Sequence, residues 1–260
     1  MRLPEATMRD ALPEMAGSLL AQLRDRAPRV HCITNAVAQN FTANAVLAAG
    51  CVPSMTMSVD EIGGFVASAH GLLVNLGTLD PERREATSVA LDAAHQHKVP
   101  WILDPVFVDR SPGRLAFARA LIARGPRVVR LNHREFEALA ETTAQREHVM
   151  AYARETRTII AMSGATDLVT DGTRAVGIGN GHALMAKVTA MGCAGSALVG
   201  GFLAVEPDAL RAAAAALLML GVAGEVAARQ AQGPGSFAVA ILDALNTLDA
   251  PTLIAHAKVA

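Results

Sequence analysis

The sequence has 260 residues, 52% of them hydrophobic but only 3% aromatic, and a formal net charge of −1. A core of this size must be built from Ala, Leu, Val, Ile and Met, and with no basic stripe interleaved with aromatics, nucleic acid is excluded as a partner. Three cysteines, Cys32, Cys51 and Cys193, are an odd number without metal-ligand spacing, which argues against a disulfide framework and for a reducing, cytoplasmic compartment.

The chain opens with MRLPEATMRDALPEM, acids and prolines where a signal peptide needs an apolar run. Five β-rich runs follow: RVHCIT (29–34), GLLVNLG (71–77), VPWILDP (99–105), RVVRLN (127–132) and RTIIAMSG (157–164). Helical periodicity lies between them. The stretch 35–50 places Val37, Phe41, Ala45 and Leu47 near one face, and 80–98 starts with acids and ends with His and Lys, as the helix dipole prefers. Alternating strands and helices, with near-continuous apolar strands, indicate a three-layer α/β domain. A mostly parallel central sheet carries helices on both faces. The stretch 167–181 reads as a hairpin around Asp171-Gly172, and most of the chain beyond Cys193 reads as helix. Its most apolar part, Ala212 to Gly224, is shorter than the ~20 residues a membrane span needs, so no membrane partner is expected. No linker or repeat divides residues 1–260, and one domain is expected.

In such a sheet, ligands bind beyond the carboxyl ends of the strands. That directs attention to Thr34-Asn35, Gly77-Thr78, Asp104-Pro105, Asn132 to Glu135 and Ser163-Gly164. Asp104 is either a strand-end turn residue or a carboxylate suited to a metal or a proton. Asn132 and Glu135, three apart, make a capping box, and Glu135 could also hold a hydrated Mg²⁺ beside phosphates. Cys193 follows Gly192 and precedes Ala194-Gly195-Ser196. It is either a small core residue or part of a helix N-terminus that binds an anion and lowers the thiol pKa, leaving it partly ionised near neutral pH. There is no GxxxxGK[ST] loop. GIGNG (177–181) imitates a dinucleotide loop in the wrong context, and the eight His residues form no metal cluster.

The stretches VHCITNAVAQNFTANAVLAAG, PSM, LVNLGTL, ILDPV, NHREF, SGATDLVTDG, KVTAMGC and GPGSFAVAILDAL occur in the order found in hydroxyethylthiazole kinases. The chain resembles that family, of the ribokinase-like superfamily, from about residue 28 to 245. The resemblance implies ATP- and Mg²⁺-dependent phosphorylation of the hydroxyl of 4-methyl-5-(2-hydroxyethyl)thiazole in thiamine biosynthesis and salvage. It also implies a homotrimer with sites between subunits. By position, Cys193, Asp104 and Glu135 would be catalytic, the two carboxylates also serving the metal. Arg130, Ser163, Asn132 and Gly192 would meet ATP, and Met55 (through its backbone), Asn35 and Ala190 the thiazole. Three positions where the family usually has Gly are bulkier here: Ala190 (with Met191 beside it), Phe107 and Leu131. Ala190 is expected to strain its loop or shift its path. Two alternatives stand beside this reading: a kinase of another small primary alcohol such as a hydroxymethylpyrimidine, and a weakly active ligand-binding homologue.

Overall fold

The structure, a computed structural model, describes residues 5–260, with side chains from Met8 onward. The first four residues of the stretch read as lacking a signal peptide lie outside the described residues. In chain order the elements are α1 (Glu5–Arg26), β1 (Arg29–Ile33), α2 (Gln39–Ala48), β2 (Val52–Ser54), α3 (Ile62–Ala67), β3 (Gly71–Asn75), α4 (Pro81–His97), β4 (Trp101–Asp104), α5 (Pro112–Ile122), β5 (Val128–Asn132), α6 (His133–Ala140), α7 (Arg146–Thr156), β6 (Ile159–Ser163), β7 (Asp167–Thr170), β8 (Ala175–Ile178), α8 (Met191–Leu203), α9 (Ala209–Ala228), α10 (Pro234–Thr247) and α11 (Ala250–His256).

The strands form one sheet in the order β2-β1-β3-β4-β5-β6-β7-β8. The first six are parallel, and β7 and β8 add an antiparallel edge. Side chains alternate across the pleat. Val30, Cys32, Leu73, Ile102 and Val128 pack with α1, α2, α8, α9 and α10. Ile33, Leu72, Val74, Leu103 and Val129 pack with α3 to α7 on the other face. Three layers are the consequence, as expected from the alternation of apolar strands and helices.

The helix ends follow their sequence signals. Asp80 caps α4 by accepting from the Arg83 N–H, Pro81 fills its first turn, and Lys98 closes it in the left-handed conformation. In the hairpin turn, Asp171 Oδ1 accepts from the backbone of Thr173 and Arg174 while Gly172 takes φ +86°.

Three expectations need correction. Helix α2 buries Thr42, Ala45 and Val46 and packs Phe41 against the core, but it leaves Leu47 exposed, and Val37 is an exposed residue that precedes the helix. Phe41 and Ala45 face the core as expected; Val37 and Leu47 do not. Helix α9 runs for 20 residues and is long and apolar enough to cross a membrane, so the length argument against a span fails. What marks it as a core helix is that 83% of its most apolar window is buried inside the protein. Leu131, taken as part of a bulkier loop, is a buried residue within β5 and spends its bulk on the core.

Candidate active site

The parallel strands end along one rim, and the residues expected there meet in two adjoining groups. The first is buried. Asn75, the last residue of β3, pairs in register with Asp104, the last of β4. Its Nδ2 donates to Cys193 Sγ at 3.3 Å, and its Oδ1 accepts from the Gly77 N–H at 3.0 Å. Asn35, just after β1, donates from Nδ2 to the same sulfur at 3.4 Å. Gly77 leaves room for it, since a Cβ there would stand 2.8 Å from Asn35 Nδ2. Ser196, one turn along α8 from Cys193, donates to Asp104 Oδ2 at 2.8 Å. The Asn35 amide oxygen is buried without a protein partner. Buried polar atoms are normally satisfied, so it marks a place for a ligand group or a water.

Burial pushes the Asp104 carboxyl above its ordinary value, against the pull of Arg130, Ser196 and Asn75. Glu135 is also raised, by burial first and by the Asp104 charge, despite two backbone bonds and Arg130. Those bonds place it: Oε1 accepts from the Phe107 N–H at 3.0 Å and Oε2 from the Asn132 N–H at 2.9 Å. The capping box is therefore present, and Asn132 Oδ1 accepts from the Glu135 N–H at 3.0 Å. Glu135 ties the turn after β4 to the start of α6.

The Cys193 thiol does not follow the helix-terminus expectation. Its value is pushed up to about 11, by burial first and then by the Asp104 charge, which outweigh the Asn35 amide, Arg130 and the Thr34 hydroxyl. At neutral pH it is a neutral thiol accepting hydrogen bonds. Two units above the ordinary 9.0 leave about 10²-fold less thiolate. Alkylation of Cys193 at pH 7.5 is thus expected to run about 10²-fold slower than for an unperturbed thiol and to accelerate up to pH ~10–11. It should still lead Cys32 and Cys51, both pushed up to about 12. Mass-spectrometric labelling across pH checks this; fast labelling at neutral pH would contradict it.

The second group lines a cavity of about 530 Å³ beside the start of α8. Arg130, Ser163 and Gly192 are in its wall, with Asp167, Met191 and Gly181. Arg130 joins the two groups. Its Nη1 donates to the Gly192 carbonyl at 3.1 Å, its guanidinium lies along Gly192 and Gly195, and its buried Nε has no protein partner. The backbone N–H groups of Gly192 and Cys193 have no backbone acceptor among the described residues, as the first turn of a helix requires. Met191 is buried and turned inward, into the cavity wall.

Ala190 caps α8 at φ +74°, so the loop keeps a glycine's path and carries the strain. Phe107 does the same at φ +58°. A left-handed residue with a Cβ costs about 1–2 kcal/mol, partly offset in Gly by its larger unfolded-state entropy. Ala190→Gly is therefore expected to stabilise the fold by about 0.5–1 kcal/mol. Urea denaturation measures it, and a loss of stability would show that the Ala190 methyl packs usefully.

Asn75, Ser196 and Asp167 give no signal in the sequence. The segment Gly179–Gly181, whose hairpin context argues against a dinucleotide loop, leads out of β8 toward α8, and Gly179, Asn180 and Gly181 line the cavity. Glu225 of α9 holds the segment by accepting from Asn180 Nδ2 at 3.1 Å and the Gly181 N–H at 3.0 Å. Met55 stands apart, just beyond β2, and neither it nor Ala190 nor Asn132 lines this cavity. Among the described residues no group of three or more His, Cys, Asp or Glu could cage a metal. Mg²⁺ asks for less: it keeps waters and takes one or two carboxylates together with phosphates. Asp104 and Glu135, near enough to raise the Glu135 carboxyl, fit that need.

The open, mostly parallel sheet with helices on both faces is a fold shared with ribokinase-like proteins. A ribokinase-like superfamily protein from Enterococcus faecalis shares this fold with a TM-score of 0.68, at 14% identity over 88% of this chain and 90% of its own. The sequence model of the hydroxyethylthiazole kinase family matches residues 20–251, and the chain belongs to that family. It is 46% identical to a hydroxyethylthiazole kinase of Granulibacter bethesdensis, over 93% of each chain. The structure of a hydroxyethylthiazole kinase protein from Pyrococcus horikoshii superposes with a TM-score of 0.90 at 35% identity, over 95% of this chain and 98% of that one.

Proposed function

We propose that the protein transfers the γ-phosphoryl group of ATP to the hydroxyl of 4-methyl-5-(2-hydroxyethyl)thiazole, a step of thiamine biosynthesis and salvage. The observation that carries this reading is the meeting of Asn35, Asn75 and Asp104 at Cys193, one residue from a cavity walled by Arg130 and the first turn of α8. The acceptor hydroxyl lies among the first group and the triphosphate in the cavity. The unpartnered Asn35 oxygen orients the hydroxyl. The hydroxyl oxygen forms a bond to the γ-phosphorus as the bond to the β–γ bridging oxygen breaks and ADP leaves. The hydroxyl proton passes to Asp104, whose raised pKa makes it a better acceptor than an ordinary carboxylate.

Such a transfer needs positioning and charge stabilisation more than covalent chemistry. The free N–H groups of Gly192 and Cys193, with Arg130, supply them. A neutral Cys193 puts no negative charge against the arriving phosphates. Asp104 and Glu135 would hold Mg²⁺, which when bound neutralises phosphate charge. Arg130, Ser163 and Gly192 serve ATP, and Asn35, Met55 and Ala190 the acceptor side, with Asn132 acting through its cap on Glu135.

Residues 1–260 would act as one domain, supported by a sheet continuous from β2 to β8. The reducing cytosol suits three free, buried cysteines. A homotrimer is proposed because exposed apolar side chains gather on one sheet edge: Leu47 on α2, Val52 on β2 and Phe65 on α3. Light scattering should report three chains per particle; a stable, active monomer would contradict it.

The deciding experiment for the substrate is kcat/KM over a panel of small alcohols. The thiazole alcohol should lead the hydroxymethylpyrimidine by at least about tenfold, the factor of roughly one buried polar contact. The reverse order would move the assignment to the pyrimidine.

A further inference from the structure

His31 lies on β1 with no exposed surface, and the proposed reaction does not use it. Both ring nitrogens are engaged. Nδ1 is 2.8 Å from Ser54 Oγ, and Nε2 is 3.0 Å from the Thr56 carbonyl oxygen. A carbonyl can only accept, so Nε2 carries the hydrogen and Nδ1 accepts from the Ser54 hydroxyl. The ring is thereby held as one neutral tautomer, in keeping with burial that lowers its pKa to about 4. Phe65 of α3 covers it, with ring centroids 5.9 Å apart.

The two bonds bracket one residue, Met55. Strand β2 is only three residues long and lies at the sheet edge. Its pairing with β1 ends at the register pair His31 and Ser54. Past that point the ladder no longer says where the chain goes. The Nε2 bond to Thr56 carries the tie to β1 two residues farther. On its other side Thr56 donates from Oγ1 to Glu61, which closes the turn. A short edge strand is easily displaced. Here a buried side chain, rather than backbone pairing, sets the path of the residues after it.

We propose that His31 is a positioning residue that sets selectivity for the acceptor alcohol by fixing the backbone on both sides of Met55. The proposal rests on the reading of Met55 as an acceptor contact. A ring that orients the wall of one subsite alters binding of the molecule in that subsite and leaves the nucleotide end alone.

The test uses the full-length protein and two variants, with KM measured separately for ATP and for the thiazole alcohol, and hydrogen exchange followed at the backbone amides of residues 54–57. His31→Leu removes both bonds and keeps an apolar side chain in the site. It is expected to raise KM for the alcohol about tenfold, while kcat and KM for ATP stay within about twofold. His31→Gln keeps a donor near the Nε2 position and is expected to recover most of that loss. Saturating alcohol is expected to slow exchange at these amides in the wild-type protein. If it does and His31→Leu leaves KM for the alcohol unchanged, His31 has no positioning role while the Met55 reading stands. Parallel rises in both KM values for His31→Leu, without recovery by Gln, would mark a general loosening of the fold and overturn the proposal. Exchange unmoved by the alcohol would remove the Met55 reading and this inference with it. A wild-type protein inert toward the thiazole alcohol would instead overturn the functional assignment on which both depend.

Discussion

Replacing Asp104 by Asn is expected to lower kcat by about 10²–10⁴, the usual contribution of a positioned proton acceptor, while the chain still folds. Asn has the same shape, and its amide oxygen can still accept from Ser196, which now bonds Asp104 Oδ2. The same substitution should not lower stability at neutral pH. The Asp104 carboxyl is raised above its ordinary 3.8 in the folded chain. Between 3.8 and that higher value, the native state holds a proton that the unfolded state has lost. Stability therefore falls as pH rises through this window, and above the ordinary carboxylate range burying this carboxyl is a net cost. Removing it should leave the melting temperature at pH 7.5 equal or higher, with the difference shrinking toward pH 4. Steady-state kinetics and melts at the two pH values check both halves. Undiminished kcat would remove Asp104 from the chemistry.

Arg130→Ala is expected to raise KM for ATP about 10–100-fold, from the loss of hydrogen bonds to a charged partner. Arg130 stands between the cavity and the carboxylates, fixed by the Gly192 carbonyl and with its Nε free for a ligand. Arg130→Lys should recover little, because an ammonium cannot reproduce the planar fork lying along Gly192 and Gly195. A second effect follows from charge. Arg130 lowers the pKa of Asp104, Glu135 and Asp167. Without it those carboxyls hold protons to higher pH, so the acidic limb of the kcat/KM profile moves upward. An unchanged KM for ATP, with an unmoved acidic limb, would place the nucleotide elsewhere.

The sheet and most of the rim were legible in the sequence because their signals are local. Asp104 before Pro105, the Asn132/Glu135 box and the glycines around Cys193 announce strand ends and a helix start. Strand β2 was not legible: it has three residues and contains Pro53. Asn75 was hidden inside an apolar strand and Ser196 inside an apolar helix, where one polar residue makes no pattern. Only the approach of β3, β4 and α8 gives them partners. The ionisation of Cys193 was misread for the same reason. Its place at a helix start was visible, but the burial and the Asp104 charge that dominate it come from residues distant in the chain. Position 190 went the other way. The expectation of a strained loop followed from one missing glycine, and the left-handed Ala190 shows that the loop kept its path. Of the two neighbouring departures, Ala190 and Met191, Met191 is the one whose side chain changes the room in the cavity, because it lines the wall.

Phosphorus NMR of the full-length protein with ATP, Mg²⁺ and 4-methyl-5-(2-hydroxyethyl)thiazole tests the central claim most directly. A phosphomonoester resonance should grow in step with ADP, and Asp104→Asn should slow both by about 10²–10⁴. ADP released with inorganic phosphate and no ester, or no turnover by a folded wild-type protein, would contradict the assignment of this rim to phosphoryl transfer onto the thiazole alcohol.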